Sequence, residues 1–242
     1  ELVHRREAAG PNAIWQADHC VLDVLVLRED GTEAKPWLTV ILDDASRSMA
    51  GYFLAFEDPC AIRTALTLHQ AIWRKEEANW HVCGIPDAFY TDNGSDFASK
   101  HMEQVSADLK IRLVFSHPGQ PRGRGRIERF FDTVAKMFLP TLPGYSPPGN
   151  RAKKAVLTLS DLDSKFKDFA LNVYHQREHS ETEAKPQELW SRNGFLPRMP
   201  ESLEQLDLLL LTVPKDRKVH SDGIRFQRMR YIDPTLAAYV GE

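Results

Sequence analysis

The sequence is poor in cysteine, has no long hydrophobic run and carries no excess of positive charge. Its three cysteines, Cys20, Cys60 and Cys83, are widely spaced and form no Cys-X-X-Cys pair. Neither a disulfide framework nor a zinc site is therefore expected, and a reducing cytosol fits best. No apolar run approaches the roughly 18 residues of a membrane span, and the charged residues 1–7 lack the apolar region of a signal peptide.

The overall charge does not point to a partner. The formal net charge is −3, so bulk charge does not indicate nucleic acid, although a local basic surface is enough to bind phosphate. A length of 242 residues with 42% hydrophobic and 27% charged residues predicts a soluble globular protein of one domain, or of one domain and a small appendage. Because Gly241-Glu242 follows a strand-like segment at 237–240, we expect the chain to be part of a longer protein.

Three strand patterns follow a polar arm at residues 1–12. They cover residues 14–27, 37–42 and 49–56, and short turns at residues 28–31 and 43–47 join them. Consecutive strands with short turns predict an antiparallel meander.

The next part of the chain alternates between helix and strand patterns. A helix is predicted after Asp58, which is expected to cap it, with Pro59 in its first position. The following elements are predicted to be a strand at 85–90, a helix from Phe97 to Leu109, a strand at 111–115 and a helix from Ile127 to Phe138. This order predicts an α/β protein with a mixed five-stranded sheet flanked by helices, as in the RNase H-like fold.

The last third of the chain contains two more helix patterns and then short strand patterns. An amphipathic helix at 159–175, with Ser160 or Asp161 as its cap, precedes a short helix at 186–190. We place a boundary near residue 200, and strands are predicted at 208–213, 223–226, 230–232 and 237–240.

Three acids stand at positions that this fold brings to one rim. Asp18 lies in the middle of the first strand, Asp92 ends the fourth, and Glu128 lies in the first turn of the helix after the fifth. Clustered carboxylates repel one another unless cations share them, so this trio implies a divalent metal. Ligands that are all oxygen select Mg²⁺ or Mn²⁺ over zinc.

Other acids near these positions have structural interpretations. Asp23 also belongs to the first strand pattern, but its odd offset from Asp18 puts it on the opposite face. Asp43 and Asp44 occupy a turn, where aspartate commonly accepts hydrogen bonds from backbone amides. Asp96 is expected to favour the positive N-terminus of its helix.

Three sequence blocks carry a resemblance to a known superfamily. Trp15-Gln16-Ala17-Asp18, Thr91 to Phe97 and Gly125 to Phe131 resemble the catalytic blocks of DDE transposases and retroviral integrases. The 35 residues between Asp92 and Glu128 match the spacing of the integrase-like branch. Segments at 36–47 and 174–186 resemble bacterial members, and the segment 219–241 is similar to the start of the small β-barrel of Mu-like transposases.

This resemblance implies a domain organisation and a chemistry. It implies an arm at 1–12, an RNase H-like catalytic core at 13–200 and the start of a truncated Mu-type β-barrel at 201–242. Asp18 would bridge two Mg²⁺ ions, for which Mn²⁺ can substitute, while Asp92 would hold one ion and Glu128 the other. The implied reaction is hydrolysis at the 3′ ends of a transposon, followed by attack of those hydroxyls on target DNA.

The resemblance also implies partners. These are transposon-end and target DNA, further copies of the same chain in the DNA complex, and an ATPase that selects the target. The implied location is the bacterial cytoplasm, in association with the nucleoid.

Several cations are candidates for contacts with DNA. Arg122, Arg124 and Arg126 alternate with glycines just before Glu128, and a flexible loop with guanidinium groups suits phosphate. Arg129 is expected either to contact DNA or to pair with an acid of the trio. His117 and Lys218 complete the predicted contacts.

Two other functions remain open at this stage. A structure-selective nuclease on the same fold would need the three acids but neither the arginine–glycine loop nor the barrel. A non-catalytic DNA-binding or assembly module would need none of the acids, and the presence of all three argues against it.

Overall fold

The computed structural model describes residues 8–92, 100–116, 124–149, 154–210, 218–226 and 229–241. The predictions for His117, Arg122 and Asp96 lie outside these residues. The chain divides into two compact units, Glu1–Leu210 and Leu211–Glu242.

The first unit contains seven strands and six helices within its described residues. The strands are β1 (Ile14–Val21), β2 (Val26–Leu27), β3 (Glu33–Ala34), β4 (Trp37–Asp43), β5 (Met49–Ala55), β6 (Ala88–Thr91) and β7 (Arg112–Phe115). The helices are α1 (Ala61–Ile72), α2 (Lys100–Asp108), α3 (Gly125–Thr133), α4 (Leu159–Asp168), α5 (Pro186–Ser191) and α6 (Leu203–Leu210). A π-helical segment, Val134–Phe138, continues α3, and another, Phe169–Tyr174, continues α4.

Five strands form one mixed sheet in the order β5-β4-β1-β6-β7. β1 pairs antiparallel with β4 and parallel with β6, so it occupies the centre of the sheet. Apolar side chains on this sheet, among them Trp15, Ile41 and Phe89, are completely or almost completely buried beneath the flanking helices. Burial of this kind is the main favourable contribution to folding. The predicted RNase H-like arrangement is confirmed.

The first strand is shorter than predicted. β1 ends at Val21, and β2 is only two residues long. Between them the Leu25 amide donates to the Gly144 carbonyl at 2.9 Å, and the Ser146 amide donates to the Asp23 carbonyl at 2.8 Å. The backbone therefore leaves the sheet after Val21 to pair with a loop distant in sequence, which local pattern does not reveal.

The two predicted helix caps were misplaced. α1 begins at Ala61 after Cys60, and the carboxylate of Asp58 instead accepts a hydrogen bond from the Trp37 indole at 3.1 Å. The cap of α4 is Thr158, which forms a reciprocal capping box with Asp161. Asp161 thus acts three residues inside the cap rather than at it.

Two of the four C-terminal strand predictions were right and two were wrong. Leu208 to Leu210 belong to helix α6, and Ala237 to Tyr239 belong to a 3₁₀ segment, Pro234–Tyr239. Short apolar runs do not distinguish strands from helices, which explains both errors. In the second unit the strands predicted at 223–226 and 230–232 are present as β8 (Ile224–Phe226) and β9 (Met229–Tyr231), which pair antiparallel.

Across the described ranges, no helix combines the length and apolar character needed to cross a membrane.

Candidate active site

The parallel pairing of β1 and β6 brings two of the predicted acids together. Gln16 pairs with Tyr90 in this register, so two further residues along both strands lead to Asp18 and Asp92. Neighbouring strands lie about 4.8 Å apart, which makes the two aspartates neighbours at the edge where β6 ends. Asp18 has an exposed side-chain fraction of 16% and Asp92 of 38%.

Arg124 lies against both of these carboxylates. Its Nη2 atom is 2.5 Å from Asp18 Oδ2, and its Nη1 atom is 3.6 Å from Asp92 Oδ2. Only 19% of the Arg124 side chain is exposed. The single positive charge of the guanidinium therefore offsets part of the repulsion between the two carboxylates.

The third predicted acid lies close along the chain but does not join a metal cluster. Arg124 immediately precedes α3, and its carbonyl accepts a hydrogen bond from the Glu128 amide at 3.1 Å. Residues four apart share one face of a helix, so Glu128 follows one turn after the arginine that contacts both aspartates. Its side chain is exposed. Among the residues that the structure describes, no three His, Cys, Asp or Glu side chains form a group able to hold a metal ion.

Gln16 fixes the start of α3 on the sheet. Its side-chain nitrogen donates to Asp44 Oδ1 at 2.5 Å, and its side-chain oxygen accepts a hydrogen bond from the Ile127 amide at 3.2 Å. This residue was not among the predicted site residues. A signal was present, because Gln16 is a polar residue in a buried strand, two positions from Asp18, and such a group needs hydrogen-bond partners.

Arg126 makes the second link between α3 and the sheet. Its guanidinium forms an ion pair with Asp44, which is only 2% exposed, and also donates to the Asp44 carbonyl at 3.3 Å. Two arginines at one helix start therefore have different partners. Arg124 contacts Asp18 and Asp92 at the edge of the sheet, and Arg126 contacts the buried Asp44.

The turn at residues 43–47 is held by hydrogen bonds within the protein, and the structural role predicted for its acids is confirmed. Asp43 accepts from the Asn12 amide at 2.8 Å, from the Ser46 amide at 2.8 Å and from the Ser46 hydroxyl at 2.6 Å. Complete burial raises the pKa of Asp43, while these donors and Arg47 act in the opposite direction.

The segment after α4 supports the same turn from its other side. The Tyr174 hydroxyl donates to the Arg47 carbonyl at 2.8 Å, and the His175 Nε2 atom accepts from the Met49 amide at 2.9 Å. Burial lowers the pKa of His175 to about 3, so its ring is neutral and suited to accept this hydrogen bond.

The remaining predicted DNA contacts have varied surroundings. Arg129 forms an ion pair with Glu181, not with an acid of the trio. Glu181 also lies 3.5 Å from Arg47. Lys218 is an exposed residue of the second unit. Asp23, the rival of Asp18, lies beyond the end of β1 and pairs with Lys35 at 2.7 Å.

The chemistry of Asp18 and Asp92 fits a hard divalent cation. Both offer carboxylate oxygens only, which is the donor type preferred by Mg²⁺ and Mn²⁺. The positive charge that these two carboxylates meet in this structure is the Arg124 guanidinium.

The sheet order β5-β4-β1-β6-β7 is that of the RNase H-like fold class, and the two aspartates lie at one edge of this sheet. The fold is similar to a chain of the simian T-cell lymphotropic virus intasome in complex with PP2A regulatory subunit B56 gamma, with a TM-score of 0.58 and 21% identity over 82% of this chain and 61% of that one. It is also similar to the HTLV-2 integrase catalytic core domain in complex with magnesium, in its dimeric form, with a TM-score of 0.51 and 18% identity over 76% of this chain and 99% of that one.

Sequence comparisons assign the family within this class. The model of the TnsB C-terminal domain matches residues 16–144, and that of the Mu transposase C-terminal domain matches residues 207–242. The chain therefore belongs to the TnsB C-terminal domain family, and the predicted resemblance to DDE transposases and their Mu-like branch is confirmed.

Two curated relatives are transposition proteins. The transposase for transposon Tn552 of Staphylococcus aureus is 55% identical over 242 residues, which are 100% of this chain and 50% of the relative. The Tn7 transposition protein TnsB of Escherichia coli is 24% identical over 178 residues, covering 67% of this chain and 25% of the relative. The chain thus spans half the length of the first relative and a quarter of the second.

Proposed function

We propose that the chain is the catalytic core of a DNA transposase that hydrolyses the 3′ ends of a transposon and joins them to target DNA. The observation that carries this proposal is the adjacency of Asp18 and Asp92 at one edge of the sheet, with a guanidinium bound between them. Membership of the TnsB C-terminal domain family supports it.

Asp18, Asp92 and Glu128 are the proposed ligands of two Mg²⁺ ions, for which Mn²⁺ can substitute. An integrase core of the same fold has been described in complex with magnesium. Bound divalent ions supply an activated water or hydroxyl and stabilise the leaving oxygen. Arg124 contacts both aspartates, and Glu128 lies one helical turn after Arg124. We propose that the exposed side chain of Glu128 completes the ligand set when DNA is bound.

The role of the protein is then to position DNA against these carboxylates. Arg122, Arg124 and His117 are the proposed phosphate contacts beside the acids, and Lys218 is proposed to contact DNA from the barrel. Arg126 and Arg129 remain predicted DNA contacts that would have to exchange Asp44 and Glu181 for phosphate. Positioning of this kind supplies much of the rate acceleration in phosphoryl transfer.

The proposed context is a longer transposase that works in several copies on bacterial DNA. We propose an arm at 1–12, the core at 13–200 and the start of a β-barrel at 201–242, which the Mu transposase C-terminal match at 207–242 supports. Paired transposon ends require several protomers, and an ATPase that selects the target is a further proposed partner.

Two experiments test the proposal. Crystals of this chain soaked in Mn²⁺ should give an anomalous peak beside Asp18 and Asp92 that is lost in Asp92→Asn. The full-length transposase should join transposon-end DNA to a target, and the same substitution should abolish joining. Cleavage without joining would instead indicate a nuclease, and an absence of both reactions in an intact protein would favour a DNA-binding module.

A further inference from the structure

The strongest unexplained feature is the position of Arg124. Its guanidinium takes the side of Asp18 and Asp92 where the proposed divalent cations would bind. We propose that Arg124 is an internal counter-ion that holds these two carboxylates in the DNA-free chain and thereby weakens their affinity for divalent metal. This inference rests on the proposed function, because it concerns regulation of the same site.

The contacts of the guanidinium are suited to this role. Two of its nitrogens face two different carboxylates, which the planar fork of arginine permits and the single ammonium of lysine does not. Its Nε atom is buried and has no hydrogen-bond partner among the described residues. The side chain is therefore held mainly by the two acids rather than by a surrounding network.

The backbone of Arg124 is fixed independently of those acids. The residues that follow it are tied to the sheet through Arg126 to Asp44 and through the Ile127 amide to Gln16. Withdrawal of the guanidinium therefore needs only rotation of the Arg124 side chain, while the helix start remains in place.

A divalent ion and the guanidinium compete for the same carboxylate oxygens. When a binding-competent state is only partly populated, the apparent dissociation constant rises in inverse proportion to that population. A guanidinium that occupies the pair for about nine-tenths of the time would weaken metal binding roughly tenfold. A phosphate of bound DNA is the chemical group best suited to take over the released guanidinium, which would link metal loading to DNA binding.

The test is a Mn²⁺ titration of the DNA-free 242-residue chain, with free Mn²⁺ followed by electron paramagnetic resonance. We expect Arg124→Gln to lower the dissociation constant roughly tenfold relative to the unmodified chain, and Arg124→Lys to give a smaller change. The matched control is Arg112→Gln, which removes the same charge at the opposite end of β7, since Arg112 pairs with Ala88 whereas Phe115 pairs with Thr91 near the site. We expect this control to leave the constant within about twofold.

A second readout follows the folded state itself. In EDTA, Arg124→Gln should melt at a lower temperature than the unmodified chain because its two aspartates then repel each other. Added Mn²⁺ should raise its melting temperature by more than that of the unmodified chain. Circular dichroism at low temperature confirms that both proteins are folded before the comparison is made.

The outcomes separate this inference from the proposed function. If Arg124→Gln binds Mn²⁺ no more tightly than the unmodified chain while Asp92→Asn abolishes binding, the metal site stands and the counter-ion role is overturned. If Arg112→Gln tightens Mn²⁺ binding as much as Arg124→Gln does, the counter-ion role is also overturned, because the change in affinity would then come from overall charge. If Asp92→Asn and the unmodified chain bind Mn²⁺ equally, both the metal site and the counter-ion role fail.

Discussion

Two arginines at the start of one helix form two different acid–base pairs. Arg126 meets Asp44, which is 2% exposed and also accepts a hydrogen bond from Gln16. Arg124 meets Asp18 and Asp92, the second of which is 38% exposed. Asp44 therefore has one neutral donor, the Gln16 side-chain amide, as well as a cation. The pair at the edge shares one guanidinium, and Asp18 also accepts a hydrogen bond from the His19 amide at 2.9 Å.

The difference separates a structural charge from an exchangeable one. A buried ion pair that is also hydrogen-bonded resists the removal of either partner, because the remaining charge would be stranded. An exposed carboxylate can exchange its counter-ion for a metal at little cost. The Asp44 cluster therefore holds the first turn of α3 in place, and the edge pair is left free to do chemistry. The following predictions test this division.

The largest effect is expected from Asp92→Asn in the full-length transposase. Removing a proposed metal ligand should reduce joining of transposon-end DNA by at least about a thousandfold, which corresponds to about 4 kcal/mol of transition-state stabilisation. The matched control is Asp23→Asn, which changes an acid that pairs with Lys35 beyond the end of β1. Joining by Asp92→Asn within tenfold of the unmodified protein would contradict the assignment.

The Asp44→Ala substitution should show the largest loss of stability. It leaves the Arg126 guanidinium and the Gln16 amide without their buried partner, and we expect the free energy of unfolding to fall by about 3 kcal/mol. Asp92→Ala, at a carboxylate that is 38% exposed, should lower it by less than about 1 kcal/mol. Urea denaturation measures both. Equal losses in the two variants would remove the distinction between the clusters.

The sequence predicted the edge of the sheet well because its signals are local. Asp18 lies within the predicted first strand and Asp92 directly follows β6, and the parallel register of β1 and β6 makes the two residues neighbours. The strand order followed from the succession of short turns and helix connections. The role of Asp43 was also predictable, since aspartate in a turn commonly accepts backbone hydrogen bonds. The structural role of Asp44 rests instead on the side chains of Gln16 and Arg126.

The partners of the arginines could not be predicted in the same way. Arg124 and Arg126 occupy equivalent positions in a glycine-rich segment, and only the three-dimensional placement of Asp44 and Gln16 distinguishes them. Arg129 likewise pairs with Glu181, which is 52 positions further along the chain. Contacts at such separations depend on tertiary packing, as does the early end of β1 at Val21.

Lowering the pH should reduce the free energy of unfolding through His175, whose ring accepts a hydrogen bond from the Met49 amide beside the turn at residues 43–47. Burial, with smaller effects from Lys75 and His81, lowers the pKa of His175 from 6.5 to about 3. The unfolded chain therefore takes up a proton first as the pH falls, so stability is lost from about pH 6.5 downward. At pH 5 the loss from this group is roughly 2 kcal/mol.

The measurement is the free energy of unfolding in urea at pH 7 and pH 5. His175→Gln retains an acceptor for the Met49 amide but cannot be protonated in this range, so its stability should change about 2 kcal/mol less than that of the unmodified chain. An identical pH dependence in the two proteins would contradict the lowered pKa of His175. It would show that solvent reaches this imidazole ring.

The smallest effect is expected at Glu181, which lies between the two kinds of environment. It pairs with exposed Arg129 and lies 3.5 Å from Arg47, whose side chain is 8% exposed, but it is itself 42% exposed. Solvent screens such a carboxylate, so Glu181→Gln should lower the free energy of unfolding by less than about 1 kcal/mol. The difference in free energy of unfolding between Glu181→Gln and the unmodified chain should be smaller still in 1 M salt, where the Debye length is about 3 Å. A loss above about 2 kcal/mol that persists in salt would place Glu181 with Asp44 among the buried structural charges, and Arg129 would then be a structural residue rather than a candidate for DNA.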